Sequence, residues 1–326
     1  MRLTIAGGVR EEGGDCFLLK GEKTSLIVDA GMKADGTYPR LGQADIQSAG
    51  YMLLTQSHTD HAGGLPWLLD QGFAGTIILS AETALQLPYS LPNALCLPVP
   101  DGMGELRLPG LTLHYGMSGH CAGALWYHLK VENTYAFFSG DFHFNSHVYQ
   151  YTPVKSRKAD VAVVDSSYET GSVNTIAFQK ELSRLIKFHE RVLLPVPQHG
   201  RGLDILLMLA EQFPDVSVTL DSHMQSEMNR LKSLKKWLRP EAYKKLKKHN
   251  FQKEDTQRHV LMLADANLET PMGQQAAKIY AQEGHPILLS GPAPNSPFAQ
   301  ELLDMGKASL VILPVHNNHE EYKAMK

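Results

Sequence analysis

The stretch Leu53-Leu54-Thr55-Gln56-Ser57-His58-Thr59-Asp60-His61-Ala62-Gly63-Gly64 constrains the fold more than any other part of the chain. An apolar run that ends in Thr55 predicts a buried strand, and the glycine pair predicts a turn before a helix that begins near Leu65. The polar residues between them therefore belong to a loop that joins a strand to a helix. Loops of this kind commonly carry binding and catalytic residues.

His58, Asp60 and His61 lie within four residues of one another. Imidazole and carboxylate groups that are buried without partners cost several kcal/mol each, on the order of 2–7. A divalent metal would supply the partner, and histidine with aspartate is a ligand set for zinc, manganese or iron. The alternative is a polar loop whose histidines cap the following helix.

Composition places the chain among ordinary globular proteins. It has 326 residues, 43% of them hydrophobic, and its 31 basic and 34 acidic residues give a net charge of −3. A nucleic-acid partner would therefore have to be met by a local basic patch. The three cysteines form no CxxC pair, and no apolar run approaches the length of about 18 residues that a membrane span needs. We expect a cytoplasmic protein without a membrane partner.

Three further segments place a polar residue directly after a predicted strand or in a glycine turn. They are Leu26-Ile27-Val28-Asp29-Ala30-Gly31, Ser118-Gly119-His120 and Phe138-Ser139-Gly140-Asp141. Each alone is also compatible with a simple turn.

The second half of the chain alternates strand and helix patterns. A helix is predicted over 176–188, and Arg191 to Pro195 predicts a strand that is followed by Gly200-Arg201 and a leucine-rich helix. Further strands are predicted over 216–220, 259–264 and 286–289. Alternation of this type favours a parallel sheet with flanking helices.

A lysine-rich segment, from Arg230 to Lys253, lies between these units. It has two interpretations, a phosphate-binding face or a solvated helical surface. We favour the solvated surface because few aromatic residues accompany the lysines.

The loop from Gln56 to Gly64 resembles the metal-binding motif of the metallo-β-lactamase fold, His-x-His-x-Asp-His followed by two glycines. The resemblance implies one metal held by His58 and His120 and a second held by Asp60 and His61. It also implies that Asp141 is shared by the two metals and that Asp29 holds the orientation of a ligand through a hydrogen bond. We expect zinc, as one or two ions, with manganese or iron as alternatives.

The sequence departs from this motif at its first histidine, where Gln56 stands. An amide oxygen is a neutral and poorer zinc ligand than imidazole. Gln56 is therefore a possible but weak metal ligand, and we expect the first metal site to be weakened while the second keeps its ligands.

Later segments resemble the β-CASP nucleases within this fold. Asp165, which follows a predicted buried strand over 159–164, matches the acid of one family motif, although a helix-capping aspartate is the alternative. Gly200-Arg201 matches a second motif, and the resemblance implies a nucleic-acid-binding role for Arg201.

His316, after the apolar run 310–313, matches either the histidine that pairs with the Asp165-type acid or the terminal metal ligand. His319 would then supply the other function, unless it is missing; a plain carboxyl-terminal strand is the alternative.

Together these segments predict the α/β class, as a metallo-β-lactamase αββα sandwich with an inserted parallel α/β domain of β-CASP type. The predicted boundaries are 1–170 for the first part, 171–298 for the insertion, and 299–326 for a return to the first domain.

The resemblance implies a metal-dependent hydrolase, and we expect a phosphodiesterase that acts on RNA or single-stranded nucleic acid. A metal would lower the pKa of a bound water to about 7. Asp60 would orient this attacking water, and Asp165 with His316 would protonate the leaving oxygen. Two alternatives remain open: a weakened member that binds nucleic acid or a partner without cutting it, and a small-molecule ester or lactone hydrolase. The sequence leaves the oligomeric state open, including a homo-oligomer.

Overall fold

The computed structural model describes residues 1–9, 13–154, 158–168, 174–251, 257–292 and 296–317. The chain divides into two compact units. The first contains Met1–Ser146 and Gln150–Ser166, and the second contains His147–Tyr149 and the chain from Ser167 onward. Within the described residues, no helix is both long and apolar enough to cross a membrane.

The first sheet of the first unit has, among the described residues, six strands in chain order. They are β1 (Arg2–Gly7), β2 (Cys16–Lys20), β3 (Ser25–Val28), β4 (Tyr51–Leu53), β5 (Thr76–Ser80) and β6 (Ala94–Leu97). Strands β1 to β3 pair antiparallel, and β3 to β6 pair parallel. The parallel arrangement brings the carboxyl ends of β3 and β4 to the same edge, so that Asp29 and Thr55 follow neighbouring strands.

The second sheet of the first unit has the order β11-β10-β9-β8-β7 among the described residues. Its strands are β7 (Gly104–Leu108), β8 (Leu111–Met117), β9 (Leu125–Val131), β10 (Thr134–Phe138) and β11 (Val161–Val163). The strand predicted over 159–164 is wrong in one respect, because β11 is shorter and only partly buried.

Helices cover one face of the first sheet. They are α1 (Gln43–Ser48), α2 (Thr59–Ala62), α3 (Leu65–Asp70) and α4 (Ala81–Gln86). Ile46, Leu65 and Leu68 pack from this layer against strand residues such as Ile27 and Ile77. The two sheets also meet each other: the Phe17 and Phe138 rings lie 5.8 Å apart, and the Tyr127 hydroxyl donates to the Leu54 carbonyl at 2.7 Å.

The second unit is built on a parallel sheet with the order β13-β14-β12-β15-β16 among the described residues. Its strands are β12 (Arg191–Pro195), β13 (Ser217–Leu220), β14 (His259–Leu263), β15 (Ile287–Leu289) and β16 (Ala308–Leu310). Its helices are α5 (Thr175–Phe188), α6 (Arg201–Gln212), α7 (Ser222–Leu231), α8 (Pro240–Lys248), α9 (Pro271–Glu283) and α10 (Pro297–Asp304), with a short 3-10 helix at Lys235–Trp237. The mixed α/β class and the parallel sheet of the second half confirm the sequence-based prediction.

The end of the chain differs from our prediction that 299–326 returns to the first domain. Strand β16 pairs parallel with β15, and residues 299–310 belong to the second unit. The apolar run 310–313 also does not form the predicted strand, because β16 ends at Leu310 and the run follows it. The sequence pattern of a short strand after a helix does not specify its partner. Such a strand can pair with the edge of this parallel sheet as readily as with a sheet of the first unit. His319 lies outside the described residues.

Candidate metal centre

The predicted metal loop follows β4 and turns into the short helix α2, so Asp60 and His61 lie on a helical turn rather than on an open loop. Its main chain is tied to two neighbouring segments. The bonds run from Asp15 N to Asp60 O at 2.8 Å, from Ala30 N to His61 O at 2.8 Å, and from Met32 N to Thr59 O at 2.9 Å. The polar side chains of this turn therefore project from a firmly held backbone.

Asp29 lies behind His61, where the resemblance predicts a supporting acid. Its Oδ2 is 2.9 Å from His61 Nδ1, and the residue is 2% exposed. The same carboxylate accepts hydrogen bonds from the Thr55 amide at 2.7 Å and from the Thr55 hydroxyl at 2.8 Å. A carboxylate on Nδ1 fixes the orientation of the imidazole ring and leaves Nε2 as its ligating atom.

His61 Nε2 points into a group of carboxylates. It lies 3.3 Å from Asp141 Oδ1, 3.7 Å from Asp15 Oδ2 and 3.9 Å from Asp60 Oδ2. His61 is 3% exposed, and this nitrogen has no hydrogen-bond partner among the described residues. A buried nitrogen surrounded by carboxylates without a hydrogen bond is the arrangement that a cation would complete.

The crowding of acids at this place changes the protonation of two groups. Burial raises the pKa of Asp15 to about 8; His61 opposes this shift, whereas Asp141, Asp60 and Asp29 add to it. Burial alone lowers the pKa of His61, but the four surrounding carboxylates outweigh it and hold that pKa well above its usual value. Both shifts reflect negative charge concentrated in a small desolvated space.

A second group of ligating atoms lies beside the first. His58 Nδ1 is 3.4 Å from His120 Nε2, and His120 Nε2 is 3.5 Å from Asp141 Oδ2. Gly119, with a φ of 81°, allows the turn that presents His120, because a side chain there would strike the His143 carbonyl. One Asp141 oxygen thus faces His61 and the other faces His120, which is the shared position that the resemblance predicts.

Gln56 is fully buried beside Asp141. Its Nε2 donates to Asp141 Oδ2 at 2.6 Å, and its Oε1 lies 3.8 Å from the Cys121 thiol, which donates to it. The amide therefore presents a donor to the carboxylate, as a polar neighbour that holds Asp141 in place. A role as a metal ligand remains a prediction.

Asp165 lies against the loop that carries Asp141. Its Oδ2 accepts a hydrogen bond from the Phe142 amide at 3.1 Å, and its own amide donates to the Ser139 hydroxyl at 2.8 Å. The predicted acid is therefore close to the metal cluster, and its catalytic role stays a prediction.

Arg201 and His316 belong to the second unit. The Arg201 guanidinium donates to the Ser290 carbonyl, and a side chain at Gly291 would lie 2.8 Å from its Nη1. The His316 ring lies edge-on to Tyr168, with centroids 5.2 Å apart. The nucleic-acid role of Arg201 and the catalytic or metal role of His316 stay predictions.

Two residues of the cluster were not predicted as site residues. Asp15 follows Gly13-Gly14 and directly precedes β2, where an acid has the pattern of an ordinary turn residue. Thr55, at the end of the β4 run, holds Asp29 through both its amide and its hydroxyl. A threonine at that position is indistinguishable by pattern from the last residue of a strand.

Comparison with known families identifies the superfamily of the chain. Residues 9–195 match the family model of the metallo-beta-lactamase superfamily. The match covers more than half of the chain, and the protein belongs to this superfamily. Together with the two His/Asp groups, this membership indicates a divalent-metal site.

Several curated proteins are similar to the chain. The transcription termination factor FttA of Lokiarchaeum is 26% identical over 250 residues, which are 65% of this chain and 39% of that protein. The endoribonuclease YSH1 of Candida albicans is 23% identical over 63% of this chain and 28% of its own length. The ribonuclease TTHA0252 of Thermus thermophilus is 25% identical over 69% of this chain and 59% of its own length. The chain thus spans less than two thirds of each of these relatives.

A solved structure is similar over nearly the whole chain. It is a protein of unknown function from Enterococcus faecalis V583, which aligns to 99% of this chain and 90% of its own length, with a TM-score of 0.59 and 11% identity. At that identity the likeness concerns the fold alone.

Proposed function

We propose that the protein is a metal-dependent hydrolase that cleaves phosphodiester bonds in RNA or other single-stranded nucleic acid. The observation that carries the proposal is the position of Asp141, whose two oxygens lie 3.3 Å from His61 Nε2 and 3.5 Å from His120 Nε2. Two groups of ligating atoms therefore converge on one carboxylate. Two of the relatives described above are named as ribonucleases, which supports RNA as the substrate.

The residues fit a divalent cation. The buried Nε2 of His61, which lacks a hydrogen bond among the described residues, and the surrounding carboxylates would hold one ion, and His58, His120 and Asp141 would hold another. A divalent cation there supplies Lewis acidity, which makes water a stronger nucleophile and stabilises negative charge that builds up on the phosphoryl group. Zinc suits the imidazoles, and manganese or iron would use the same ligand types.

The acids of the cluster differ in exposure, and this difference assigns their roles. The side chain of Asp60 is 46% exposed, whereas that of Asp141 is 13% exposed. Asp60 is therefore the most exposed acid of the cluster, and we assign it the orientation of the attacking water in addition to holding the ion beside His61. Asp141 is assigned to holding the cation, and Asp29 to holding the His61 ring. Protonation of the leaving oxygen by Asp165 with His316 stays a prediction that rests on the family resemblance.

A surface cleft of the first unit supports a polyanionic substrate. Lys33, Tyr38 and Arg40 line it together with Gly14, the residue before Asp15. The exposed Tyr38 ring stacks on Trp67 with centroids 5.4 Å apart and planes 5° apart. Cations contact phosphates, and a flat exposed ring is a stacking surface for bases. Asp35 also lines the cleft, so its charge is mixed.

Hydrolysis of labelled single-stranded RNA and DNA tests the proposal. The purified protein is incubated with each oligonucleotide in Zn²⁺, Mn²⁺ or a chelator, and its metal content is measured by elemental analysis. We expect cleavage of RNA that the chelator stops. Asp60→Ala and His61→Ala should each lower the rate at least about 100-fold, since a positioned acid or a cation contributes factors of this order.

Asp70→Ala, at an exposed acid of α3, is the matched control and should retain full activity. Full turnover in His61→Ala would exclude this cluster as the active site. A wild-type protein that binds RNA but holds less than one equivalent of metal and leaves the RNA intact would favour a nucleic-acid-binding module over a hydrolase.

A further inference from the structure

Asp15 is the acid of the cluster that has no assigned role. Its Oδ2 lies 3.7 Å from His61 Nε2, and ligating atoms of Asp15, Asp60 and His61 all lie within 4.8 Å of one another. An acidic cluster alone would not define a site. Here a 3% exposed imidazole points its nitrogen into that cluster, and this nitrogen has no hydrogen bond to any described residue.

The backbone holds the Asp15 side chain at this position. The Asp15 amide donates to the Asp60 carbonyl at 2.8 Å, and the Asp15 carbonyl accepts from the Gly31 amide at 2.9 Å. On the other side, a Cβ at Gly8 would come within 2.0 Å of Asp15 Oδ1, so the carboxylate occupies the space that a side chain there would need. Asp15 is thus fixed to the same loop that carries Asp60 and His61, and its carboxylate is not a freely moving surface group.

The protein itself does not supply enough positive charge to balance the carboxylates at this position. Three carboxylates lie within 4.0 Å of one imidazole nitrogen, and the side chains of Asp15 and Asp141 are only 23% and 13% exposed. With all three carboxylates ionised, as metal binding requires, a protonated imidazole would offset only one of the three negative charges. Buried carboxylates in proteins are paired or coordinate metals, and a divalent cation would balance this group.

We propose that Asp15 is a direct ligand of the cation held by Asp60 and His61, and that this oxygen-rich centre prefers a hard divalent ion such as Mn²⁺. The centre offers carboxylates from Asp15, Asp60 and Asp141 and a single imidazole. Carboxylate oxygens suit magnesium and manganese, whereas imidazole suits zinc. The inference rests on the metal site of the proposed function but does not depend on the reaction catalysed there.

The neighbouring centre has the opposite character. His58 and His120 provide two imidazoles, and the amide of Gln56 donates to the Asp141 oxygen on that side at 2.6 Å. That hydrogen bond uses part of the capacity of the one carboxylate that this centre shares. We therefore assign the tighter site for hard ions to the Asp15, Asp60 and His61 side.

Metal affinity, measured without any substrate, tests the inference. Wild-type protein, Asp15→Asn and Asp70→Asn are stripped with chelator, and Mn²⁺ and then Zn²⁺ are titrated by calorimetry; bound Mn²⁺ is counted independently by electron paramagnetic resonance. We expect Asp15→Asn to weaken Mn²⁺ binding by about 10- to 100-fold or more, the range seen when groups that support a metal are removed. The loss for Zn²⁺ should be smaller, and Asp70→Asn should stay within about twofold of wild type.

Asp15→Asn keeps the shape of the side chain and removes one charge from the cluster, so the metal-free variant should melt at the same temperature as wild type or higher. Asp15→Ser removes the carboxylate in a smaller side chain and gives an independent measurement. Unchanged Mn²⁺ affinity in a folded variant of either kind would overturn the inference, as would a wild-type protein that takes up no Mn²⁺.

The outcomes separate this inference from the proposed function. A wild-type protein that binds Mn²⁺ through Asp15 but leaves RNA intact would overturn the function and not the ligand. A protein that cleaves RNA while Asp15→Asn binds Mn²⁺ as tightly as wild type would overturn the ligand and not the function.

Discussion

Asp29 combines an unusual backbone conformation with three hydrogen bonds. Its φ of 56° lies in the left-handed region, which aspartate and asparagine tolerate better than most residues. Its carboxylate accepts from the Thr55 amide, the Thr55 hydroxyl and the His61 ring. The residue therefore links the end of β3 to the end of β4 and to the metal cluster.

Asp29→Asn tests this link. Asparagine keeps the backbone conformation but offers one oxygen where the carboxylate has two, so the His61 ring loses its fixed orientation. We expect metal affinity to fall about 10- to 100-fold and the unfolding free energy to fall by about 1–3 kcal/mol, the cost of an unsatisfied buried group. Metal titration and denaturant unfolding measure the two effects, and Asp101→Asn, at an exposed position, should change neither.

Gln56→His would give the first centre a third imidazole. Because Gln56 is fully buried beside Asp141 and near Cys121, a histidine there would lie next to His120 and His58. We expect Zn²⁺ affinity at this centre to rise by at least about tenfold, since imidazole is a better zinc ligand than an amide. Zinc titration followed by elemental analysis measures the change. The exposed Gln47→His adds an imidazole elsewhere and should leave zinc uptake as in wild type; equal uptake in both variants would contradict the prediction.

At the residue scale, the sequence predicted those members of the cluster that belong to a motif with a fixed spacing. His58, Asp60 and His61 lie together, and His120 and Asp141 join them. Asp15 was not predicted because its position depends on β1 and β2 pairing beside β3, which places the start of β2 against the metal loop. That long-range contact leaves no local pattern.

Gly31 lets two elements approach closely at the end of β3. A Cβ at this position would lie 1.6 Å from the Asp60 carbonyl oxygen and 2.7 Å from the Asp15 amide nitrogen. Both neighbours are main-chain atoms, so they cannot give way without moving the metal loop. The close contact between β3 and α2 therefore requires glycine.

Gly31→Ala should destabilise the protein by at least about 2 kcal/mol, because overpacking against main chain forces a backbone shift. Metal affinity should fall with it, since Asp15 and Asp60 would move apart. Gly42→Ala is the control, because nothing lies within 4 Å of a Cβ there and its φ is −73°. Denaturant unfolding of both variants tests this prediction. Equal unfolding midpoints for Gly31→Ala and Gly42→Ala would contradict it.

Helix α6 carries an acid whose protonation couples stability to pH. Burial raises the pKa of Asp204 to about 7, although the Arg201 guanidinium acts in the opposite direction. In the unfolded chain the ordinary value is 3.8. Between these two pKa values the folded protein holds a proton on Asp204 that the unfolded chain has released. The stability that Asp204 contributes is therefore complete below pH 4 and is lost as the pH rises through 7.

Asp204→Asn removes this dependence. At pH 3, below the ordinary pKa of 3.8, the aspartic acid is neutral in both the folded and the unfolded chain, so aspartic acid and asparagine should give similar unfolding free energies. At pH 8 the variant should be the more stable protein, by about 1 kcal/mol or more, because one pKa unit corresponds to about 1.4 kcal/mol. Denaturant titrations of both proteins at several pH values measure the difference, and a difference that does not grow with pH would contradict the prediction.

At the element scale, the sequence predicted strands that appear as apolar runs and helices with a clear period, such as β4, β12 and α5. It did not predict β6, in a proline-rich stretch that reads as irregular, nor β7, whose residues alternate without a strong apolar run. These strands form because a neighbouring strand offers an edge: β6 pairs with β5, and β7 pairs with β8.

At the scale of the whole molecule, the net charge of −3 means that any nucleic-acid binding must depend on local basic patches. On α8, Lys244 and Lys245 pair with Glu241 and Glu211, which supports the solvated-surface interpretation of the lysine-rich segment. The cleft lined by Lys33 and Arg40 is the better candidate for phosphate contacts.

Charge substitutions distinguish the two surfaces. Arg40→Gln should weaken RNA binding and reduce the slope of log affinity against log salt by about one, as expected when one phosphate contact is lost. The pair Lys247→Gln and Lys248→Gln on α8 should change neither. Fluorescence anisotropy with a labelled RNA across a salt series measures both. The opposite pattern would move the RNA-binding surface to α8.

The arrangement of the whole chain was predicted in kind but not in detail. The metallo-β-lactamase part and the parallel α/β part are both present. The prediction that 299–326 returns to the first domain does not hold for residues 299–310, because β16 joins the sheet of the second unit. Strand patterns report how buried a segment is and not which sheet it joins, so this choice could not be made from the sequence.

The main-chain bonds around the metal loop have a consequence for how the protein acquires its ion. Asp15, Ala30 and Met32 fasten the loop to its neighbours through peptide groups alone, independently of any side-chain donor. We therefore expect uptake of a cation to need no folding step and its release to leave the loop folded. One ion could then be exchanged for another by dialysis of the intact protein, and the cation found after purification would reflect the supply in the cell as much as the preference of the site.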